Sequence, residues 1–119
     1  MKHARQRLGD AGEAAAAAFL EAAGCRIVAR NHRCRRGEVD LIAEQGEILI
    51  FAEVRTRVTA AFGGPEETVD FRKQQRVVAA AQDFLMRRRG PPRGVRFDVI
   101  AVVGSQVTHF PNAFDAGRY

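Results

Sequence analysis

The stretch GEVDLIAEQGEILIFAEVRTR, residues 37–57, sets Asp40 between Val39 and Leu41 and Glu53 between Ala52 and Val54, with Arg55 two positions on. Carboxylates are seldom buried unless they are paired or bind a metal, because an isolated charge loses its hydration in the interior. Two acids inside neighbouring apolar runs point to one of two chemistries. A hard divalent cation such as Mg²⁺ takes one or two carboxylates and completes its shell with water and substrate phosphate. Alternatively the acids form a salt-bridged sheet edge, with Arg55 and Arg57 neutralising Glu53 and Glu38. The residues by themselves leave both readings open.

Positioning decides which chemistry is reachable. Side chains alternate along a strand, so Leu49, Phe51, Glu53, Arg55 and Arg57 share one face. With Gln45-Gly46 as a two-residue turn, Asp40 faces Phe51 and Glu38 faces Glu53. Asp40 is then expected diagonal to Glu53, at roughly 7–8 Å between α-carbons. Carboxylates so spaced both reach one cation, and the carbonyl of Val54 passes the same place as a further ligand.

The elements around this hairpin are legible too. Ala11, Ala14, Ala15, Ala18, Phe19 and Ala22 recur at helical spacing and predict a first helix, with a buried face of alanine and a stop at Gly24. Strands are predicted at Cys25–Arg30, Glu38–Ala43 and Glu47–Arg57, then a loop around Gly63-Gly64-Pro65. A second helix is predicted from about Asp70 to Arg89, with Phe71, Val78, Ala81 and Leu85 on one stripe. Arg96–Val103 reads as an interior strand, and Gly104-Ser105 turns the chain into a short last strand, Gln106–Phe110. The order α-β-β-β-α-β with a trailing β predicts an α/β fold, a mixed central sheet flanked by helices, in a single domain over residues 1–119.

A net charge of +5 and a pI near 10.2 suit an anionic partner, although a basic surface also serves solubility alone. Cys25 and Cys34 match no zinc spacing and are expected as free thiols in a reducing cytosol. The apolar run Ala14–Leu20 is bracketed by Glu13 and Glu21 and falls short of the roughly 20 residues that cross a bilayer. A cytoplasmic protein with no membrane partner is expected.

Other residues carry two readings. Asp10 and Glu13 have capping-box spacing, yet a helix beginning before Leu8 leaves Glu13 interior and free to face a metal. Arg72, Lys73 and Arg76 crowd the first turns of the second helix, where the macrodipole already disfavours cations. That suits a phosphate, or else a solvated face that Asp70 caps and screens. Arg33, Arg35 and Arg36 before the hairpin grip a nucleic-acid backbone or simply solubilise a loop. His3, His32 and His109 show no ligand spacing, and Asp98 is expected to form a buried ion pair with Arg96 or another arginine.

An acid on one strand followed by Glu-x-basic on the next, within this element order, resembles the PD-(D/E)XK nuclease superfamily. The closer likeness is to the YraN-like bacterial proteins, described as endonuclease-like and related to archaeal Holliday-junction resolvases. Gly12-Glu13, Asn31, Arg33, GEVDLI, FAEVRTR, AFGGPEE, Lys73-Gln74, RFDVIAV and HFPNAF carry it, over nearly the whole chain. The resemblance implies a restriction-endonuclease-like core with Asp40 and Glu53 as ligands of Mg²⁺ or Mn²⁺, and Glu13 contributing from the helix. It also exposes a departure, because the signature expects lysine where this chain has Arg55.

The function expected is metal-dependent hydrolysis of DNA phosphodiesters, including branched DNA. Arg55 and Lys73 would stabilise phosphate charge, and Arg33, Arg35, Arg36, Arg57, Arg72 and Arg76 would hold the backbone. The alternatives are a nucleic-acid-binding module on a nuclease fold whose site has decayed, and a domain whose basic surface meets an acidic protein. A two-fold branched substrate suits a homodimer, though no segment marks an interface.

Overall fold

The computed structural model describes residues 4–57 and 70–116, so the expected loop around Gly63-Gly64-Pro65 and His3 lie outside the described residues. The elements run α1 (Ala4–Ala22), β1 (Arg26–Cys34), β2 (Gly37–Gln45), β3 (Ile48–Arg57), α2 (Phe71–Arg87), β4 (Gly94–Val103) and β5 (Gln106–Phe114). They form an α/β fold whose five strands lie in the order β1-β2-β3-β4-β5. All neighbours are antiparallel except β3 and β4, which run parallel with α2 between them in sequence. A parallel pair needs such a crossover, and a helix is the usual one. The arrangement is that of a restriction-endonuclease-like core. Among the described residues no helix is long and apolar enough to cross a membrane.

Each face of the sheet carries one helix and one core. Ala16, Ala17 and Leu20 of α1 pack with Leu41, Ala43, Ile50, Ala52, Ile100 and Val102. Val77, Val78, Ala80 and Ala81 of α2 pack with Val39, Ile42, Leu49, Phe51 and Phe97. The α1 face differs from the expected one: Ala11, Ala14, Ala18 and Ala22 are exposed, and Phe19 stays 37% exposed. In an alanine-rich helix every stripe looks apolar, and the face that meets the sheet is the one carrying the fully buried Leu20, not the larger Phe19.

Two glycines set how closely the helices approach. A Cβ on Gly12 would collide with the side chain of Thr56 on β3, and one on Gly37 would collide with the backbone carbonyl of Arg76 on α2. Only a residue without a side chain lets α1 and α2 press onto the strands at these points. Gly24, at φ 95, ends α1 as expected, with Cys25 N–H bonding Leu20 O at 2.9 Å and Gly24 N–H bonding Glu21 O at 3.0 Å.

Strand lengths differ from expectation at the sheet edges. β1 continues to Cys34 and β5 to Phe114, so Arg33 is a strand residue and only Arg35 and Arg36 form the turn between β1 and β2. Asp98, fully buried on β4, accepts Arg96 Nε at 2.9 Å and Arg96 Nη2 at 2.8 Å, as expected. It also takes His109 Nε2 at 2.6 Å and the Asn112 amide at 2.9 Å, which ties β5 to β4 beside a register shift.

The glycine contacts predict opposite signs for one substitution. Gly37→Ala drives a methyl into backbone that cannot rotate away and should cost about 1–3 kcal/mol. Gly9→Ala, in the interior of α1 with open space around its Cβ position, should instead stabilise by up to about 1 kcal/mol. Urea unfolding of both variants checks the contrast, and a neutral Gly37→Ala would contradict the packing.

Candidate functional site

The β2–β3 ladder runs from Gln45↔Ile48 to Leu41↔Ala52. This corrects the expected register: Phe51 pairs with Ile42, not Asp40. A two-residue hairpin turn wants positive φ at its first central residue, so Gly46 (φ 61) takes that place and Glu47 follows it. Shifting the turn by one residue shifts the pairing by two. The continuation of the ladder then sets Asp40 opposite Glu53 rather than diagonal to it.

At that step the strands stop pairing. Leu41 and Ala43 face the α1 core while Ile42 and Val39 face the α2 core, so the alternation of β2 breaks at Asp40. On β1, Asn31 falls between the Arg30↔Leu41 and His32↔Val39 pairs and sits at φ 50. Asparagine is among the few side chains that tolerate this conformation. In place of a ladder bond, the Val54 amide donates to Asp40 Oδ2 at 2.8 Å. The Val54 group observed in contact with Asp40 is therefore its N–H, whereas the expectation named its carbonyl.

The distorted step brings four charged side chains together. Asp40 and Glu53 are close enough to hydrogen-bond through a shared proton, and Glu53 is only 4% exposed. Lys73 Nζ reaches Glu53 Oε1 at 3.0 Å from the first turn of α2. Arg55 follows on β3 with its Nε buried and without a hydrogen-bond partner. Glu53 is thus neutralised by Lys73, and Glu38 by Arg33 at 2.9 Å, not by Arg55 and Arg57.

Burial and then mutual repulsion govern the ionisation of the acids. Burial, followed by the Asp40 charge, pushes the Glu53 carboxyl up to about 8 despite Lys73. Burial also raises Asp40, restrained by the Val54 amide, Glu53 and Lys73. Glu13 lies within α1, which begins at Ala4, so it caps no helix start. Its carboxyl is raised by burial and by Asp40, and the Asn31 side chain hydrogen-bonds it. Among the described residues no group of three His, Cys, Asp or Glu side chains stands close enough to hold a metal ion. Asp40 and Glu53 are a pair, with Glu13 sensing Asp40 electrostatically. Burial and the neighbouring Arg57 lower the Arg55 guanidinium, while Glu53, Asp40 and Asp70 oppose them.

The predicted basic arcs converge. Asp70 caps α2 by accepting the Lys73 N–H at 2.9 Å, so the cap is made by a carboxylate of this chain. Arg72 and Arg76 on the first turns are exposed, as are Arg35 and Arg36. The contact of Gly37 with Arg76 lays the Arg35-Arg36 turn beside α2, and Arg36 lines a hollow with Gln75, Ala79 and Gln82 of that helix. Arg57 closes β3 with Nη1 on Thr56 O at 3.3 Å. An apolar hollow of about 270 Å³ between α2 and β5, lined by Val78, Leu85, Phe97 and Phe114, includes none of these residues.

Residues that sequence reasoning left without a role are Asn31, Thr56 and His109. Asn31 offered one signal, being an asparagine in an extended run where a left-handed residue is needed.

The mixed five-strand sheet with its two helices is an α/β fold with a restriction-endonuclease-like core, and the acid pair, with Lys73 and Arg55 beside it, sits where β2 and β3 part. The chain belongs to the Uncharacterised protein family UPF0102, the YraN-like family, which matches residues 12–102. It is 55% identical over 115 residues to a UPF0102 protein of Anaeromyxobacter dehalogenans, covering 93% of this chain and 86% of that one. A UPF0102 protein of Myxococcus xanthus is 50% identical over 117 residues, covering 95% and 93%. One of Moorella thermoacetica is 50% identical over 102 residues, covering 86% and 85%.

The raised carboxyl predicts how metal-free stability depends on pH. Below about 4.5 both folded and unfolded chains hold the Glu53 proton, and above about 8 neither does. Between these values only the folded chain holds it, so unfolding releases a proton and stability falls as pH rises. In chelator, denaturation midpoints should decline across this window for wild type and flatten for Glu53→Gln. A midpoint that rises with pH in wild type and not in Glu53→Gln would contradict the burial of this carboxyl.

Proposed function

We propose that this chain is a metal-dependent endonuclease that hydrolyses DNA phosphodiesters, branched DNA included. The observation that carries the reading is the pair of Asp40, half-buried, and Glu53, buried, side by side where β2 and β3 part, each with its carboxyl raised. Such a pair stores repulsion that a divalent cation relieves, and an oxygen donor set of this kind fits Mg²⁺ or Mn²⁺. Asp40 and Glu53 would hold the ion, with Glu13 and the Val54 backbone as neighbours that tune it. When bound, the ion supplies charge for a phosphate oxygen and lowers the pKa of a water.

The remaining chemistry falls to the chain's own side chains. Arg55, with a buried donor lacking an acceptor, forks onto a scissile phosphate and balances the charge that develops there. It stays protonated at working pH, so it takes no proton from the water. Lys73 enters the same site from α2. Arg35, Arg36, Arg72 and Arg76 are exposed, form no ion pair with a described residue and, with the turn seated beside α2, would hold the flanking backbone together with Arg33 and Arg57. A second reading, a DNA-binding module with a decayed site, is favoured by Arg55 at the lysine position and by the pair of acids in place of a trio.

Cleavage of four-way-junction, duplex and single-stranded DNA with Mg²⁺, Mn²⁺ or chelator separates the two. The expected result is weak, metal-dependent cleavage that Lys73→Ala lowers and Arg55→Lys raises in single turnover, at matched DNA binding. Cleavage as fast as ordinary nucleases and indifferent to Lys73 would contradict these roles. Affinity should also fall steeply with salt, at a log–log slope of about −0.9 per phosphate contacted. Arg72→Ala with Arg76→Ala should flatten that slope on every DNA sequence tried, and an unchanged slope would move the interface elsewhere.

A further inference from the structure

Of the chain's 19 basic residues 17 are arginine, and the two lysines are Lys2 and Lys73. Among the described residues, the ion pairs other than the histidine contacts His32–Asp83 and His109–Asp98 are made by arginine at Arg26–Glu44, Arg33–Glu38, Arg87–Asp83, Arg93–Glu47 and Arg96–Asp98. The acid pair alone is met by an ammonium, at 3.0 Å from Glu53, among the described residues. The choice has a physical meaning. A guanidinium forks two donors onto a carboxylate and holds it in one geometry, as Arg96 does on Asp98. An ammonium is a compact, strongly hydrated point charge on a flexible stem, and it leaves a carboxylate more readily.

The surroundings favour departure. The Lys73 side chain is 37% exposed while that of Glu53 is 6% exposed, so the lysine has solvent to move into and the acid has none. Its backbone stays fixed, because the Lys73 N–H is held by the Asp70 cap. Movement is therefore confined to the stem. Arg72 and Arg76, exposed on the same first turns of α2, belong to the surface proposed for the DNA backbone.

We infer that Lys73 is a tethered, exchangeable counter-ion of the Asp40–Glu53 pair, which an arriving divalent cation displaces and thereby releases toward the bound phosphate. The inference rests on the metal reading and adds to it an order of events: the ion and the ammonium compete for the same oxygens, and loading the ion frees a cation for substrate. In the metal-free state Lys73 keeps the acids apart from solvent cations. The same contact lowers affinity for the divalent ion, since a positive charge on Glu53 must be given up first. Linkage is reciprocal, so whatever loosens Lys73 tightens the ion.

Calorimetric titration of the full chain with Mn²⁺, in the absence of DNA, tests the competition. Lys73→Met should bind Mn²⁺ on the order of tenfold more tightly than wild type. Lys73→Arg, with its fork, should bind more weakly, and Glu53→Gln should bind little. A second readout needs no variant: acetic anhydride labelling read by mass spectrometry. Lys73 should react several-fold faster in saturating Mg²⁺ than in chelator, with Lys2 as the internal reference. Unchanged or weaker Mn²⁺ affinity in Lys73→Met, or labelling indifferent to Mg²⁺, overturns the inference while Glu53→Gln still abolishes binding. If Glu53→Gln binds Mn²⁺ as wild type does, the metal reading itself fails and takes the inference with it.

Discussion

A buried Glu53 carboxyl beside the half-buried carboxyl of Asp40 is the constraint on which this site depends. Neither Asp40 nor Glu53 can ionise freely while the other is charged, and burial removes the water that would separate them. The fold meets the difficulty with local devices that each cost regularity. β2 and β3 stop pairing, a backbone amide is diverted to Asp40, Asn31 takes a left-handed conformation, and Lys73 is brought from another layer. Gly12 and Gly37 serve the same end, because the closeness of both helices to the sheet carries Glu13 and Lys73 into range. A chain under selection for stability alone has cheaper residues for these positions.

The same sheet buries another carboxyl, that of Asp98, in the opposite manner. Asp98 is as deep as any residue in the molecule, yet four donors from Arg96, His109 and Asn112 satisfy both of its oxygens. Burial alone would raise it, but the guanidinium, the amide and the imidazole outweigh that and hold it below the usual carboxylate range. Losing either partner side would leave a charge without compensation, typically a loss of several kcal/mol. Asp98 is a fastening between β4 and β5. The contrast separates the two sites: one carboxyl is finished by its own protein, and the other two are left unfinished beside an arginine whose Nε has no acceptor.

Much of this was legible in the sequence, and the failures have physical causes. Element order, the Gly24 stop and the mixed sheet flanked by helices followed from periodicity and breaker residues, and an arginine partner for Asp98 from its apolar neighbours. The acids were marked by their apolar neighbours, since a charged residue inside a strand pattern is conspicuous. Register was not legible, because Gln45-Gly46 and Gly46-Glu47 are both acceptable as pairs, and only the φ demanded of the first residue chooses between them. The buried stripe of α1 was hidden by alanines on every face. Lys73 stood out as one of several cations at a helix start and through the resemblance; its contact with Glu53 depends on how closely α2 seats on the sheet. The merging of the Arg35-Arg36 turn with Arg72 and Arg76 likewise rests on the Gly37 contact, a tertiary event without a local signal.

The central claim is that the Asp40–Glu53 pair is an ion-binding centre and not a buried defect of the sheet. Crystals of the full chain grown with Mn²⁺, with diffraction collected at the manganese absorption edge, test it most directly. The account predicts one dominant anomalous peak between the Asp40 and Glu53 carboxylates, with the Lys73 ammonium withdrawn from Glu53. Anomalous density absent from that position, with Lys73 still on Glu53 at saturating Mn²⁺, would contradict it.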